Sequence, residues 1–165
     1  MVIDVSKIAK TDGESLPVSG EVSLADQSFG ALDVQFTGTI PVTGKVTNLG
    51  GVLYLDAQAQ VRFRTACARC LTEVDVQLPV EIHERFSAAA TDADDDIFPL
   101  VHDTIYIDDT LEQSLFGALP MKVLCKEDCR GLCPVCGCDR NETDCDCESE
   151  DIDPRLAVLK DFLKD

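Results

Sequence analysis

The chain has 165 residues, 45% of them hydrophobic and 27% charged, the balance of a folded globular chain. That length holds one domain of ordinary size with at most a small appended module, which excludes two large domains. The formal net charge of −17 is lopsided: residues 1–86 hold 11 acids and 7 bases, and residues 87–165 hold 20 acids and 7 bases. A field of this sign repels phosphate backbones and attracts basic proteins, so non-specific nucleic-acid binding is disfavoured.

Residues 1–10 contain no sustained apolar stretch, and nowhere do roughly 18 to 20 apolar residues run without a charge, so a soluble cytoplasmic protein with no membrane partner is expected. In a reducing compartment nine cysteines point to metal ligation or redox chemistry and away from structural disulfides.

In chain order, the first clear pattern begins at Leu32. Leu32, Val34, Phe36, Ile40, Val42 and Val46 fall on even positions and polar residues on the odd ones, the period of a strand with one buried face. Pro41 lacks a ladder donor and is expected to divide the run or to mark an edge or bulge. Asn48-Leu49-Gly50-Gly51 then supplies turn chemistry. The alternation resumes with Leu53, Leu55, Ala57, Ala59, Val61 and Phe63 inward and Asp56, Gln58, Gln60, Arg62 and Arg64 outward. A third run places Val74, Val76, Leu78, Val80 and Ile82 on one face, with Pro79 on the polar phase that an edge strand tolerates.

Residues 88–96, AAATDADDD, read as a surface loop. Residues 104–107 read as a short strand. Asp108 or Asp109 is expected to cap a helix carrying Leu111, Leu115 and Leu119, which Pro120 stops. A last helix is expected from Pro154, with Asp153 as its cap and Leu156, Leu159, Phe162 and Leu163 as its apolar stripe. The expected organisation is an antiparallel β domain over residues 1–86. Residues 87–165 follow as acidic loop, helix, zinc-knuckle segment (125–147) and C-terminal helix, packed as one unit with the first. The fold class is α+β: mostly antiparallel β-sheet, as a meander or partly closed barrel, with a few short helices and a cysteine-rich zinc-binding C-terminal part.

The chemistry concentrates between residues 125 and 147, where cysteines stand at 125, 129, 133, 136, 138, 145 and 147. Cys133-Pro-Val-Cys136-Gly137 has the form of a zinc knuckle: two intervening residues let both sulfurs reach one tetrahedral ion, and the glycine lets the backbone turn behind them. Four ligands are needed, and either Cys145 with Cys147 or Cys125 with Cys129 can complete the set. A closed four-thiolate site leaves no position for a reactive water, so a structural Zn2+ is the expected cofactor. An iron–sulfur cluster uses the same ligand type and is the chemical rival.

Cys67-Ala-Arg-Cys70 is a second such pair at an expected hairpin turn. It reads as a second metal knuckle, a redox dithiol, or two cysteines at a strand connection, and it can also complete a long-range site with Cys133 and Cys136. A thioredoxin-like dithiol normally opens a helix, whereas this context is strand, turn, strand. Arg62, Arg64, Arg69 and Arg85 form the one basic feature, and Arg62, Arg64 and Arg69 are its candidate RNA or partner contact. His83 and His102 neighbour no motif, and no P-loop, dinucleotide fingerprint, nucleophile elbow or HExxH helix occurs, so neither an enzyme nor a small-molecule substrate is expected.

The order of features, CARCL at 67–71, an acidic interruption, ALPMKVLC at 118–125, CRGLCPVCG at 129–137, a CxC at 145–147 and DPRLAVLKDFL at 153–163, resembles the YceD-like family of large ribosomal RNA subunit accumulation proteins over approximately residues 30–163. The resemblance implies a non-enzymatic factor for accumulation of large-subunit ribosomal RNA. Members tend to be encoded beside a small ribosomal protein, which fits a partner that is a basic ribosomal protein or a pre-large-subunit particle. Cys138 departs from the small residue expected after the CPxCG knuckle and is an extra thiol. The alternative readings from other classes are a CxxC thiol oxidoreductase using Cys67 and Cys70, and a zinc-ribbon RNA-binding module, which the acidic setting opposes.

Overall fold

The computed structural model describes residues 1–30, 32–90 and 97–147. Its centre is a hairpin pair of long strands, β6 (Val52–Ala66) and β7 (Glu73–Ser87), in antiparallel register from Leu53 opposite Phe86 to Ala66 opposite Glu73. Strict alternation over 15 residues makes β6 the spine: Leu53, Leu55, Ala57, Ala59, Val61 and Phe63 are all buried, and the intervening Asp56, Gln58, Gln60, Arg62 and Arg64 are exposed. The inward side of each large residue removes apolar surface from water, worth roughly 1.5–3 kcal/mol per side chain.

On its other edge β6 pairs with β5 (Ile40–Leu49) along its first half and with β4 (Leu32–Phe36) near Phe63 and Arg64. The even-phase run from Leu32 is therefore two strands, parted at residues 37–39, and Pro41 is the second residue of β5, ahead of its register with β6. The β5–β6 connection is a two-residue turn with Gly50 at φ 63° and Gly51 at φ 85°, the left-handed pair that a tight hairpin requires. Buried Asn48 fixes its base, donating from Nδ2 to the Ile8 and Ala9 carbonyls and accepting at Oδ1 from the Gly51 N–H.

Three N-terminal strands carry no clear sequence pattern: β1 (Val2–Asp4), β2 (Ser15–Val22) and β3 (Gln27–Phe29). β2 lines the outer edge of β5, β3 extends β4, and β1 forms a separate ribbon with β9 (Thr104–Tyr106). β8 (Phe98–Pro99) adds to the end of β7 in parallel. The sheet path ends at β2, β3 and β8, and among the described residues no closed barrel forms. Over residues 73–85 the outer edge of β7 has no ladder partner among the described residues, which accommodates Pro79.

One helix is present among the described residues, α1 (Ile107–Ala118). Its cap differs from expectation. The helix begins at Ile107 with Tyr106 as N-cap and no side-chain cap, so Asp108 and Asp109 lie inside the first turn, where carboxylates complement the helix dipole and Asp108 pairs with the N-terminal amine of Met1. Leu111 and Leu115 are buried, and Leu119 leaves the helix before Pro120. The core gathers the inward residues of β5, β6 and β7 with Ile3, Val5, Ile8, Ile105, Ile107, Leu111 and Leu115. The expected helix from Pro154, and residues 91–96 of the expected acidic loop, lie outside the described residues.

Candidate metal centres

Two groups of four cysteines assemble at the end of the sheet where β6 turns into β7. The first is Cys67, Cys70, Cys125 and Cys129; the second is Cys133, Cys136, Cys145 and Cys147; within each, all four sulfurs lie within 4.8 Å of one another. Sulfurs tetrahedrally placed about 2.3 Å from one zinc-sized ion stand about 3.8 Å apart. Cys67 Sγ is 3.8 Å from Cys129 Sγ, and Cys70 Sγ is 3.5 Å from Cys125 Sγ. The residues present thus fit a single four-coordinate metal ion at each place.

The first group is long-range. The β6–β7 register brings the CARC turn to the chain that follows α1, where the Ala68 N–H donates to the Val123 carbonyl (2.8 Å). Arg69 then ties the turn to the cysteine segment twice: its guanidinium donates to the Cys129 carbonyl (2.8 Å) and its own carbonyl accepts the Leu132 N–H (3.0 Å). Cys67, Cys70 and Cys129 are buried and Cys125 is exposed. The long-range site was expected, if anywhere, between Cys67, Cys70 and the Cys133–Cys136 knuckle; the structure joins it to Cys125 and Cys129 instead, because the Val123 and Cys129 contacts hold that stretch against the turn.

The second group is local. Cys133 and Cys136 face Cys145 and Cys147, with the Cys133 N–H donating to the Cys138 carbonyl and the Gly137 N–H to the Cys133 carbonyl, each at 2.8 Å. Asp139 organises the returning loop by accepting the Asn141 N–H at its carboxylate and the Thr143 N–H at its carbonyl. Cys138 is outside both groups, as its status as an extra thiol suggests, yet it stays close enough to hydrogen-bond Cys136 and Cys145, which pushes its thiol up to about 12.

Backbone donors are aimed at particular sulfurs. Burial would raise the Cys67 thiol, but N–H groups of Arg69, Cys70 and Cys125 outweigh it and bring it down to about 6. N–H groups of Cys136 and Val135 bring Cys133 to about 6. Cys125 is exposed overall, but loss of water around its sulfur, together with hydrogen bonds to neighbouring sulfurs, pushes its thiol up to about 12, and hydrogen bonding to Cys136 with desolvation does the same for Cys147. N–H donors around a sulfur are what a metal thiolate needs, since they spread its negative charge.

One residue joins the two centres. Asn141, from the loop of the second, donates from Nδ2 to Cys129 Sγ of the first (3.4 Å) while its Oδ1 accepts the Arg130 N–H (2.9 Å). Nothing in the sequence marked Asn141; an asparagine two residues after Asp139 reads as ordinary turn chemistry.

The basic residues are differently placed. Arg64 is exposed on the outward face of β6 and pairs with Asp75 (3.1 Å), with Glu73 at 4.0 Å. Arg62 is exposed on the same face, opposite Gln77. Arg69 stands at the metal-centre turn, its guanidinium committed to Cys129. His83 is exposed, its Nδ1 3.0 Å from Asp56, whose hydrogen bond raises the imidazole above its ordinary value. Among the described residues no helix is long and apolar enough to cross a membrane.

An antiparallel sheet whose central hairpin carries one four-cysteine group, with a second group on the segment stitched to it, defines a small β-sheet protein with two metal-capable cysteine centres. The sequence profile described as "Large ribosomal RNA subunit accumulation protein YceD" matches residues 55–163, a span that contains all eight grouped cysteines, and the chain belongs to that family. The protein of Mycobacterium tuberculosis H37Rv designated uncharacterized protein Rv2926c is 34% identical over 102 residues, 59% of this chain and 49% of its own length. The chain thus spans about half the length of that relative. Uncharacterized protein YlbN of Bacillus subtilis strain 168 is 26% identical over 135 residues, covering 80% of this chain and 78% of its own. No solved structure matches significantly.

Proposed function

We propose that this protein is a non-enzymatic, cytoplasmic ribosome-biogenesis factor that supports accumulation of large-subunit ribosomal RNA, and that each four-cysteine group holds one structural zinc ion. The observation that carries the reading is that the family profile spans both groups, so the metal-capable part of the molecule lies inside the part that defines the family. Zinc is favoured over an iron–sulfur cluster because sulfurs within 4.8 Å of one another suit a single central ion, whereas a multi-iron cluster spreads its thiolates over different irons. With four thiolates the ion is closed to water, so its role is to hold backbone segments together.

The partner in this reading is a basic ribosomal protein or a pre-large-subunit particle, for which a net charge of −17 provides long-range attraction. Direct RNA contact through Arg62, Arg64 and Arg69 is the weaker form of the reading, because Arg64 already faces Asp75 and Glu73 and Arg69 serves the first cysteine group. A dithiol oxidoreductase is disfavoured by the same geometry, which sets Cys67 and Cys70 against Cys129 and Cys125. The test is depletion of the protein in growing cells, with large- and small-subunit ribosomal RNA quantified together and the tagged protein's partners recovered at physiological salt. The reading expects a selective fall in large-subunit RNA and recovery of ribosomal proteins; equal RNA levels with no ribosomal protein recovered would refute it.

A further inference from the structure

We propose that the solvent face of α1, with the grooves on either side of it, is a docking surface for a basic protein segment carrying an aromatic or large aliphatic anchor residue. Asp109, Glu112, Gln113 and Phe116 recur at i, i+3, i+4 and i+7, which places them on one stripe, and all four are exposed. Leu111 and Leu115 already satisfy the sheet-facing side, so an apolar ring at Phe116 that is 67% exposed contributes little to the core.

The ring is held in place. Phe116 lies 6.1 Å from Phe29 of β3, tilted by 41°, and the two aromatics with Asp109 and Glu112 line a groove of about 470 Å³. A second groove, of about 240 Å³, runs between α1 and the ends of β7, β8 and β9, lined by Phe86, Phe98 and Tyr106. Asp109 and Gln113 line both, so they form the ridge of the helix between the two grooves. The result is an apolar slot rimmed by carboxylates.

Charge selects the occupant. α1 carries Asp108, Asp109 and Glu112 and no lysine or arginine; Asp108 is taken by the Met1 amine, and Asp109 and Glu112 have no ion-pair partner among the described residues. Carboxylates around a slot repel nucleic-acid phosphates. They also disfavour a second copy of a −17 chain and the chain's own residues 148–165, which hold six acids against three bases. A cationic segment with one anchor side chain meets both features: the anchor fills the slot beside Phe116, and lysines or arginines face Asp109 and Glu112. This surface rests on the reading that the protein works by binding a basic ribosomal protein, and it assigns that binding to a particular face.

The experiment is a fluorescence-anisotropy titration of the full chain at about 150 mM salt, with a labelled lysine/arginine-rich peptide bearing a single central phenylalanine. Binding is expected to weaken about tenfold with Phe116→Ala and with Glu112→Lys, to weaken similarly when the peptide's phenylalanine is replaced by alanine, and to hold within about twofold for Glu81→Lys on the far face of the sheet. Equal binding by the Phe116→Ala chain, or equal binding of the peptide lacking phenylalanine, would show attraction by net charge alone and overturn the assignment. A Phe162→Ala chain that bound the peptide about tenfold tighter would give the slot to the chain's own tail, a dimer dissolved by Phe116→Ala would give it to a second copy, and an oligouridine RNA displaced by Phe116→Ala would give it to nucleic acid; each overturns it. Cells carrying Phe116→Ala and Glu112→Lys separate the two levels. If those variants still recover ribosomal proteins, the docking face is wrong and the biogenesis reading stands, whereas failure of the wild-type chain to recover any removes the reading itself.

Discussion

Leu71 occupies in the first cysteine knuckle the position that Gly137 occupies in the second. Each follows the second cysteine of a CxxC, each is left-handed, at φ 63° and 74°, and each donates its N–H to the carbonyl of the first cysteine, Cys67 at 3.0 Å and Cys133 at 2.8 Å. The same turn is thus built once with the residue that suits it and once with a residue that does not. An L-residue in that region costs about 1–2 kcal/mol, and the Leu71 side chain, 65% exposed, recovers little of it.

Leu71→Gly is therefore expected to stabilise the metal-loaded protein. Relief of about 1 kcal/mol corresponds to a rise of about 2–4 °C in Tm for a chain of this size, measured by thermal denaturation with metal bound. The converse change, Gly137→Leu, adds a Cβ that meets no neighbouring atom within 4 Å but forces the strained conformation, and should weaken metal binding at the second centre while the first stays loaded. Unchanged Tm for Leu71→Gly would contradict the strain assigned to the left-handed Leu71.

Asn141 should govern the first centre from the loop of the second. Asn141→Ala removes the donor to Cys129 Sγ, and loss of such an outer hydrogen bond typically lowers metal affinity about 10- to 100-fold. Competition with a chromophoric chelator should show the weaker release step assigned to the centre that Cys129→Ser abolishes. If Asn141→Ala leaves both affinities unchanged, the two centres are independent.

Asn48 is the buried polar residue on which the N-terminal segment depends. Asn48→Ala strands the Ile8 and Ala9 carbonyls and the Gly51 N–H, a loss of about 2–3 kcal/mol, or about 4–12 °C in Tm. Hydrogen exchange should show the penalty centred on residues 5–13 and on the β5–β6 turn. A variant that melts with the wild type would contradict the role given to this side chain.

Glu84 stands opposite Leu55 on the inward phase of β7, and burial pushes its carboxyl above the usual range. A carboxyl with a folded-state pKa above its unfolded value costs stability once the pH exceeds that folded value. The cost fades as the pH falls through the window between the two and vanishes below the unfolded value, about 4.3. Glu84→Gln should raise Tm modestly at pH 7, by about 1–2 °C, with the gain disappearing near pH 4 in a melting series. A gain independent of pH would locate the effect in packing.

The long strands were legible because alternation held without a break: residues 53–63 and 74–82 show their buried faces in the sequence itself, and Asn48-Leu49-Gly50-Gly51 marks the turn between β5 and β6. β2 was not legible, since Ser15, Pro17, Ser19 and Gly20 dilute its pattern and its place is set by pairing with β5. β1 and β3 have three residues each, too few for a period to register. Cysteine spacing announced knuckles, and the family resemblance set Cys138 apart, but spacing alone is satisfied by either pairing of Cys125 and Cys129. What decides it is the hairpin of β6 and β7, which delivers Cys67 and Cys70 to the stretch beginning at Val123.

The most direct measurement is the metal content of the intact chain, taken by native mass spectrometry beside a Cys138→Ser form, both purified without added metal. Two closed four-cysteine zinc centres predict two zinc ions per chain in each, falling to one when Cys129 or Cys136 is changed to serine. One ion or none in the wild-type chain, iron in place of zinc, or loss of an ion on Cys138→Ser would contradict the account.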